Sequence, residues 1–180
     1  MKSPVIYFDT SVFIGLIDNI QDRQKIARNI VRYEASLGSE IHTSIMTINE
    51  FIGKTYDNFH DHPDCENEVK KAVNSIRDIA TIYAFNDEVA RESARLLSVW
   101  GRVRMLNGAP RDKKFRWDSI HLATANLLKA DRVYTWDEDW NDFPKTEIPF
   151  IKELIAPAFA PATYEQSTLF SNTDRELDIK

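Results

Sequence analysis

Four acidic residues of this 180-residue chain stand in distinctive local settings. Asp9 ends the run Val5-Ile6-Tyr7-Phe8 and precedes Thr10-Ser11. Glu50 falls in Thr47-Ile48-Asn49-Glu50-Phe51-Ile52, Asp118 in Trp117-Asp118-Ser119-Ile120-His121, and Asp137 in Thr135-Trp136-Asp137-Glu138-Asp139-Trp140. Carboxylates brought together without cations repel and resist ionisation. A fold that gathers these four therefore calls for a metal, and an oxygen-only donor set selects a hard cation, Mg²⁺ or Mn²⁺, over zinc. Such an ion polarises a phosphoryl oxygen, lowers the pKa of bound water and stabilises a leaving oxygen. The chemistry this points to is phosphodiester hydrolysis, with no need for a covalent enzyme intermediate.

The elements that must hold these acids follow from local pattern. β-branched and aromatic residues after Pro4 suit a strand covered on both faces, and Thr10-Ser11 suits a helix start, so Asp9 sits on a strand-to-helix turn. Residues 132–135 read as another short strand, with Asp137 just past its end. If both strands share one parallel sheet, both acids lie at its carboxyl edge, where open α/β sheets bind ligands. A strand at 40–43 feeds an apolar helix whose first turn is expected to hold Glu50. Thr47 and Glu50 also have capping-box spacing, which gives Glu50 a purely structural alternative. Asp118 opens an Ala-rich helix, where N-capping or interaction with the helix dipole is the alternative. Further helices are expected at 22–37, ended by Gly38, at 65–79 and at 87–106, with a turn at 107–110. Strands are expected at 81–84 and 148–151. Alternating β and α elements predict an α/β fold with a central, mostly parallel sheet flanked by helices.

Composition narrows the class. The length suits one domain with a sizeable core, to which the 43% hydrophobic fraction contributes. A net charge of -5 disfavours broad electrostatic binding to nucleic acid, so any such binding is local or metal-assisted. One cysteine, Cys65, leaves no partner for an internal disulfide and agrees with a reducing compartment. Without a secretory signal pattern or a long apolar run, the sequence reads as soluble, cytoplasmic and away from membranes. Residues 1–156 form the expected domain. Residues 157–180, without periodicity, read as a C-terminal tail or docking segment.

Phe8-Asp9-Thr10-Ser11, the helical Glu50, Asp118-Ser119-Ile120-His121-Leu122-Ala123-Thr124-Ala125 and the Thr135–Trp140 run together resemble the PIN-domain family, especially the VapC-like ribonuclease toxins. The resemblance spans about residues 5–151, and the ordered set of four acids is far more specific than any one motif. It implies an Mg²⁺-dependent endoribonuclease in which Asp9, Glu50, Asp118 and Asp137 form the acidic pocket. Asp9 and Asp118 would be the direct metal ligands and Asp139 an auxiliary one. It further implies that Thr10 or Ser11 orients water or phosphate, that a small VapB-like antitoxin is a partner, and that the protein is a homodimer. The chain departs from the short toxins in the polar residues between Gly53 and Asp64, the basic connection before Asp118, the tail, and Trp140.

The basic connection holds Arg102, Arg104, Arg111, Lys113, Lys114 and Arg116 within fifteen residues, interrupted by Asp112. It is a candidate guide for an RNA backbone, with Phe115 or Trp117 for base stacking, and a solvated basic loop is the alternative. His60, His62, Asp64 and Cys65 lack the second ligand pair of a zinc site. His121 shares a helix face with Asp118 and is assigned no catalytic role, since a hydrogen-bonded core histidine explains it equally well. The tryptophans read as core or interface anchors. A haloacid-dehalogenase-type phosphatase would need a second Asp where Ser11 stands. A non-catalytic RNA-binding or scaffold protein of the same fold is the remaining alternative.

Overall fold

The structure is a computed structural model that describes residues 2–17, 21–59, 61, 63–106 and 115–156. Its centre is β1 (Val5–Phe8), whose four residues are all buried. A strand with no polar face must be covered on both sides, and this one is. Ile6 and Phe8 enter a core with Val12, Phe13, Ile30, Phe51 and Ile76, whereas Tyr7 enters a second core with Leu96, Trp100, Leu122 and Val133.

The chain runs β1, α1 (Thr10–Ile17), α2 (Gln21–Ser36), β2 (Glu40–Ser44), α3 (Ile45–Phe59), α4 (Cys65–Ile79), β3 (Thr81–Tyr83), α5 (Asp87–Leu106), α6 (Phe115–Leu127), β4 (Arg132–Tyr134) and β5 (Glu153–Ile155). Short 3-10 turns cover Glu138–Asp142 and Lys145–Glu147. The five strands are all parallel, in the order β3-β2-β1-β4-β5. The chain builds outward from β1 on one side, then returns to place β4 on the other. The strand order therefore reverses between β1 and β4, which is where open α/β sheets form ligand crevices. Pairing of Phe8 with Tyr134 sets Asp9 and Thr135 side by side at that edge.

Helix α2 stops where expected: Gly38, at φ +66°, takes the left-handed conformation that glycine tolerates without a Cβ penalty, and its N–H caps the Ala35 carbonyl. Other expectations need correction. The last strand is Glu153–Ile155, not 148–151, because Pro149 lacks a ladder donor and Ile151 N–H turns back to the Ile148 carbonyl. Helix α3 begins at Ile45, so Glu50 lies in its second turn and Thr47 is no N-cap. Asp118 likewise stands inside α6, three residues after its start at Phe115. The turn at 107–110 and the segment 157–180 lie outside the described residues.

Candidate active site

Asp9 occupies the cap position of α1, and its carboxylate is held from two elements. The Ser11 hydroxyl donates to Oδ2 at 2.7 Å, the Ser11 N–H approaches it at 3.4 Å, and the Thr135 hydroxyl donates to it at 2.9 Å. The network continues outward: Trp136 N–H donates to the Ser11 hydroxyl at 3.0 Å, and Asp137 N–H to the Thr135 hydroxyl at 2.9 Å. Thr135 therefore links the backbone of Asp137 to the side chain of Asp9. Asp137 in turn accepts Asp139 N–H at 3.0 Å on Oδ1, capping the first 3-10 turn. Gly15 gives this segment its seat, since a Cβ there would stand 2.8 Å from the Trp136 ring.

Glu50 reaches the same edge from α3. Its Oε2 accepts the Thr10 hydroxyl and lies 3.2 Å from His121 Nε2. The capping-box reading is thus replaced: Thr47 bonds the Thr43 hydroxyl at 2.7 Å, and Glu50 is held by α1 and α6. His121 is 1% exposed, with Nδ1 2.6 Å from the Tyr7 hydroxyl and 3.9 Å from Asp9 Oδ1. Burial disfavours the imidazolium, yet the Glu50 bond and the charges of Asp9, Glu50 and Asp118 outweigh it and raise the His121 pKa above its ordinary value. Burial would raise Glu50 as well, but the bond and charge of His121 and the Thr10 hydroxyl bring it below the ordinary carboxylate value. Asp9 and Asp118 are 7% and 8% exposed, while Glu50, Asp137 and Asp139 are half-buried. One sheet edge thus brings Asp9 and Glu50 to His121, with Asp118 one helical turn away on the same helix and Asp137 joined through Thr135.

A PIN-domain family model matches residues 6–146. The chain belongs to the PIN domain family. Such domains are generally divalent-metal-dependent nucleases. The VapBC2 structure from Rickettsia felis, bound to a promoter DNA fragment, has a chain 12% identical with a TM-score of 0.59, the match covering 84% of this chain and 98% of that one. The VapBC-1 structure from nontypeable Haemophilus influenzae has a chain 15% identical with a TM-score of 0.56, the match covering 86% and 98%. At these identities the likeness is one of fold. A comparison with curated proteins finds no match.

In this PIN domain, the donors at the carboxyl edge are oxygens of carboxylates and hydroxyls, which suit Mg²⁺ or Mn²⁺. Among the described residues, no group of three or more His, Cys, Asp or Glu side chains is arranged to hold an ion. The Thr10 and Ser11 hydroxyls are engaged with Glu50 and Asp9. Arg116 and Trp117 are exposed on the first turn of α6, next to Asp118. Phe115, a stacking candidate by sequence, is instead 4% exposed and packs on Trp100 at 4.7 Å between ring centres. Arg111, Lys113 and Lys114 lie outside the described residues, as do His60 and His62. Trp100 and Trp140 are core residues, and Trp136 lies under Arg23 at 5.6 Å. The connecting roles of His121, Tyr7 and Thr135 are what sequence reasoning missed. The one local hint is that His121 follows Asp118 at a spacing that shares a helix face.

Proposed function

We propose that this PIN domain is an Mg²⁺- or Mn²⁺-dependent endoribonuclease that hydrolyses RNA phosphodiester bonds, acting as the toxin of a VapBC-like pair. The observation that carries the reading is the convergence of Asp9 and Glu50 on His121, which stands on the helix that carries Asp118, at the strand-order reversal. Asp9 and Asp118 would hold the metal, with Glu50, Asp137 and the auxiliary Asp139 completing the acidic pocket. The bound ion would supply charge neutralisation, phosphoryl polarisation and an activated water. The chain's own part is orientation. Ser11 and Thr135 fix one oxygen of Asp9, and Thr10 and His121 fix one oxygen of Glu50, so the acids meet substrate without reorganising. Arg111, Lys113, Lys114 and Arg116 would carry the RNA backbone toward the pocket, and Trp117 would stack a base.

The VapBC complexes support a VapB-like antitoxin as partner, and the reading includes a cytoplasmic homodimer with residues 1–156 as the nuclease domain and 157–180 as a tail or docking segment. Among the described residues no helix is long and apolar enough to cross a membrane. A non-catalytic RNA-binding scaffold of the same fold is the alternative reading. Purified wild type and Asp9→Asn, incubated with total RNA with and without EDTA and followed by cut-site mapping, separate the two. The nuclease reading expects defined cuts that disappear with EDTA and in the variant. Binding without metal-dependent cleavage would establish the scaffold.

A further inference from the structure

The hydrolytic reading employs the carboxylates and leaves His121 without a task, although it stands among them. A buried imidazole is costly unless its nitrogens are satisfied. Nδ1 meets the Tyr7 hydroxyl at 2.6 Å, and Nε2 meets Glu50 Oε2 at 3.2 Å. A carboxylate can only accept, so Nε2 carries the proton in that bond, and Tyr7 can place its single proton on Nδ1. Opposite His121, Thr10 spends its one proton on the same Glu50 oxygen. The neighbouring hydroxyls are committed elsewhere. Thr43 donates to the Phe8 carbonyl at 2.7 Å, so in the 2.7 Å bond between Thr43 and Thr47 the donor is Thr47; Thr10, whose hydroxyl also lies 3.2 Å from Thr47 Oγ1, has one proton, and the charged Glu50 oxygen is the stronger acceptor for it. Glu50 Oε2 is thus held between α1 and α6 by two donors whose directions are set by buried groups.

We propose that His121, clamped by Tyr7, is a positioning residue that holds Glu50 in its working orientation and keeps the Asp118-bearing helix in register with it. Asp118 lies three residues before His121 on the same helix, and its charge is felt at the ring. The Nε2 bond therefore fixes α6, with its acid, against the acid of α3. Among the described residues, loss of that bond leaves the Glu50 side chain, 31% exposed, hydrogen-bonded only from α1. A misplacement of about 1 Å at a reacting centre costs about 100-fold in rate. This inference rests on the carboxylate edge being the reactive site.

Two amide replacements separate the contacts of the ring. In His121→Gln the side-chain amide reaches the place of Nε2 and still donates to Glu50, whereas in His121→Asn it reaches only the place of Nδ1, beside Tyr7. The measurements are kcat and KM for RNA cleavage, the affinity for Mn²⁺ alone, and melting without metal. The two variants are expected to melt alike. His121→Gln should keep most of its kcat, while His121→Asn loses about 10- to 100-fold in kcat with KM little changed and binds Mn²⁺ several-fold more weakly. Equal kcat and equal Mn²⁺ affinity in the two would make His121 core packing and overturn the proposal. Should either fail to fold, Tyr7→Phe keeps the ring and removes the clamp. At a pH where the ring is neutral, the ¹⁵N resonances of His121 should then lose a single Nε2–H tautomer together with the kcat-specific loss, and an unchanged tautomer and kcat would overturn the proposal. A wild type that cuts no RNA, yet shows the Mn²⁺ difference between Gln and Asn, would refute the nuclease reading and uphold the positioning of Glu50.

Discussion

Replacing Glu34 by Gln should destabilise the protein severely while leaving its chemistry intact. Glu34 on α2 is 0% exposed and accepts four hydrogen bonds: Arg132 Nε at 2.8 Å, Arg132 Nη2 at 2.7 Å, Tyr134 OH at 2.6 Å and Ser39 Oγ at 2.7 Å. Glutamine converts one acceptor oxygen into a donor. On the Oε2 side the new amide meets Ser39, whose hydroxyl can turn and accept, but also Arg132 Nη2, which can only donate. A bond to a charged group is worth about 1.5–3 kcal/mol, and stripping a buried charge of its partner costs about 3–5 kcal/mol. Arg132 keeps its Nε bond and leaves 20% of its side chain in solvent, which places the cost at the low end, about 3 kcal/mol. With about 2–4 °C per kcal/mol for a chain of this size, Tm should fall by about 6–12 °C. Calorimetry of the two proteins without metal measures it. Arg132 begins β4 and Asp137 lies beyond its other end, so cleavage by the folded variant should keep its kcat at low temperature. A Tm shift under about 2 °C, or a folded but inactive variant, would refute the reasoning.

Mn²⁺ at 100 times its Kd should add about 2.7 kcal/mol to stability, or about 5–10 °C in Tm, and Asp9→Asn and Asp118→Asn should lose most of it; a shift retained in both would move the site elsewhere. Asp137→Asn should cut RNA cleavage about 100-fold under saturating Mg²⁺ and still fold, since the Asn oxygen can keep the cap on Asp139 N–H; Asp139→Asn should cost less, and the reverse ranking would show that the acids are misassigned. Changing Lys113 and Lys114 together to Ala should weaken RNA binding and flatten its salt dependence with Mn²⁺ affinity unchanged, and an equal salt slope would return this segment to a solvated loop. Burial, with the charges of Asp9 and Glu50, raises the Tyr7 pKa well above the ordinary tyrosine value, and burial with the Glu34 bond does the same for Tyr134. A group raised on folding contributes stability that is complete below its unfolded pKa, so this contribution should decline as pH climbs above about 10; ultraviolet titration should find both tyrosines silent until the chain unfolds, and ordinary titration in the folded protein would refute it.

The strand-end positions of Asp9 and Asp137 are legible in the sequence because a buried strand has a strong local signature and its end is sharply marked by the first polar residues. The parallel sheet is legible for the same reason, through alternation of short apolar runs with longer amphipathic ones. The boundaries that shift are those set by tertiary pairing. β5 lies beyond the turn at Pro149 because its partner Arg132–Tyr134 sits there, and three residues carry too little pattern to show it. Phe115 reads as a stacking residue beside a basic run until α5 supplies Trp100 to cover it.

The polar interior of the site is the least legible part, for a physical reason. Tyr7, Thr43, Thr47, Thr135 and His121 are each unremarkable in their own segments, where Tyr and Thr serve strand propensity and a histidine near a helix start has many uses. What makes them a network is that each proton donated in one bond is denied to another, and those bonds span 114 residues from Tyr7 to His121 and 126 from Asp9 to Thr135. Acids near strand ends can be chosen from a sequence by type and context, but the groups that aim them are selected by proton bookkeeping across the fold. Aim is what a carboxylate site demands, because its acids repel and relax away from one another unless donors or cations hold them. The hydroxyls and the imidazole at this edge supply donors at the oxygens that need them, on Asp9 from α1 and the end of β4, on Glu50 from α1 and α6.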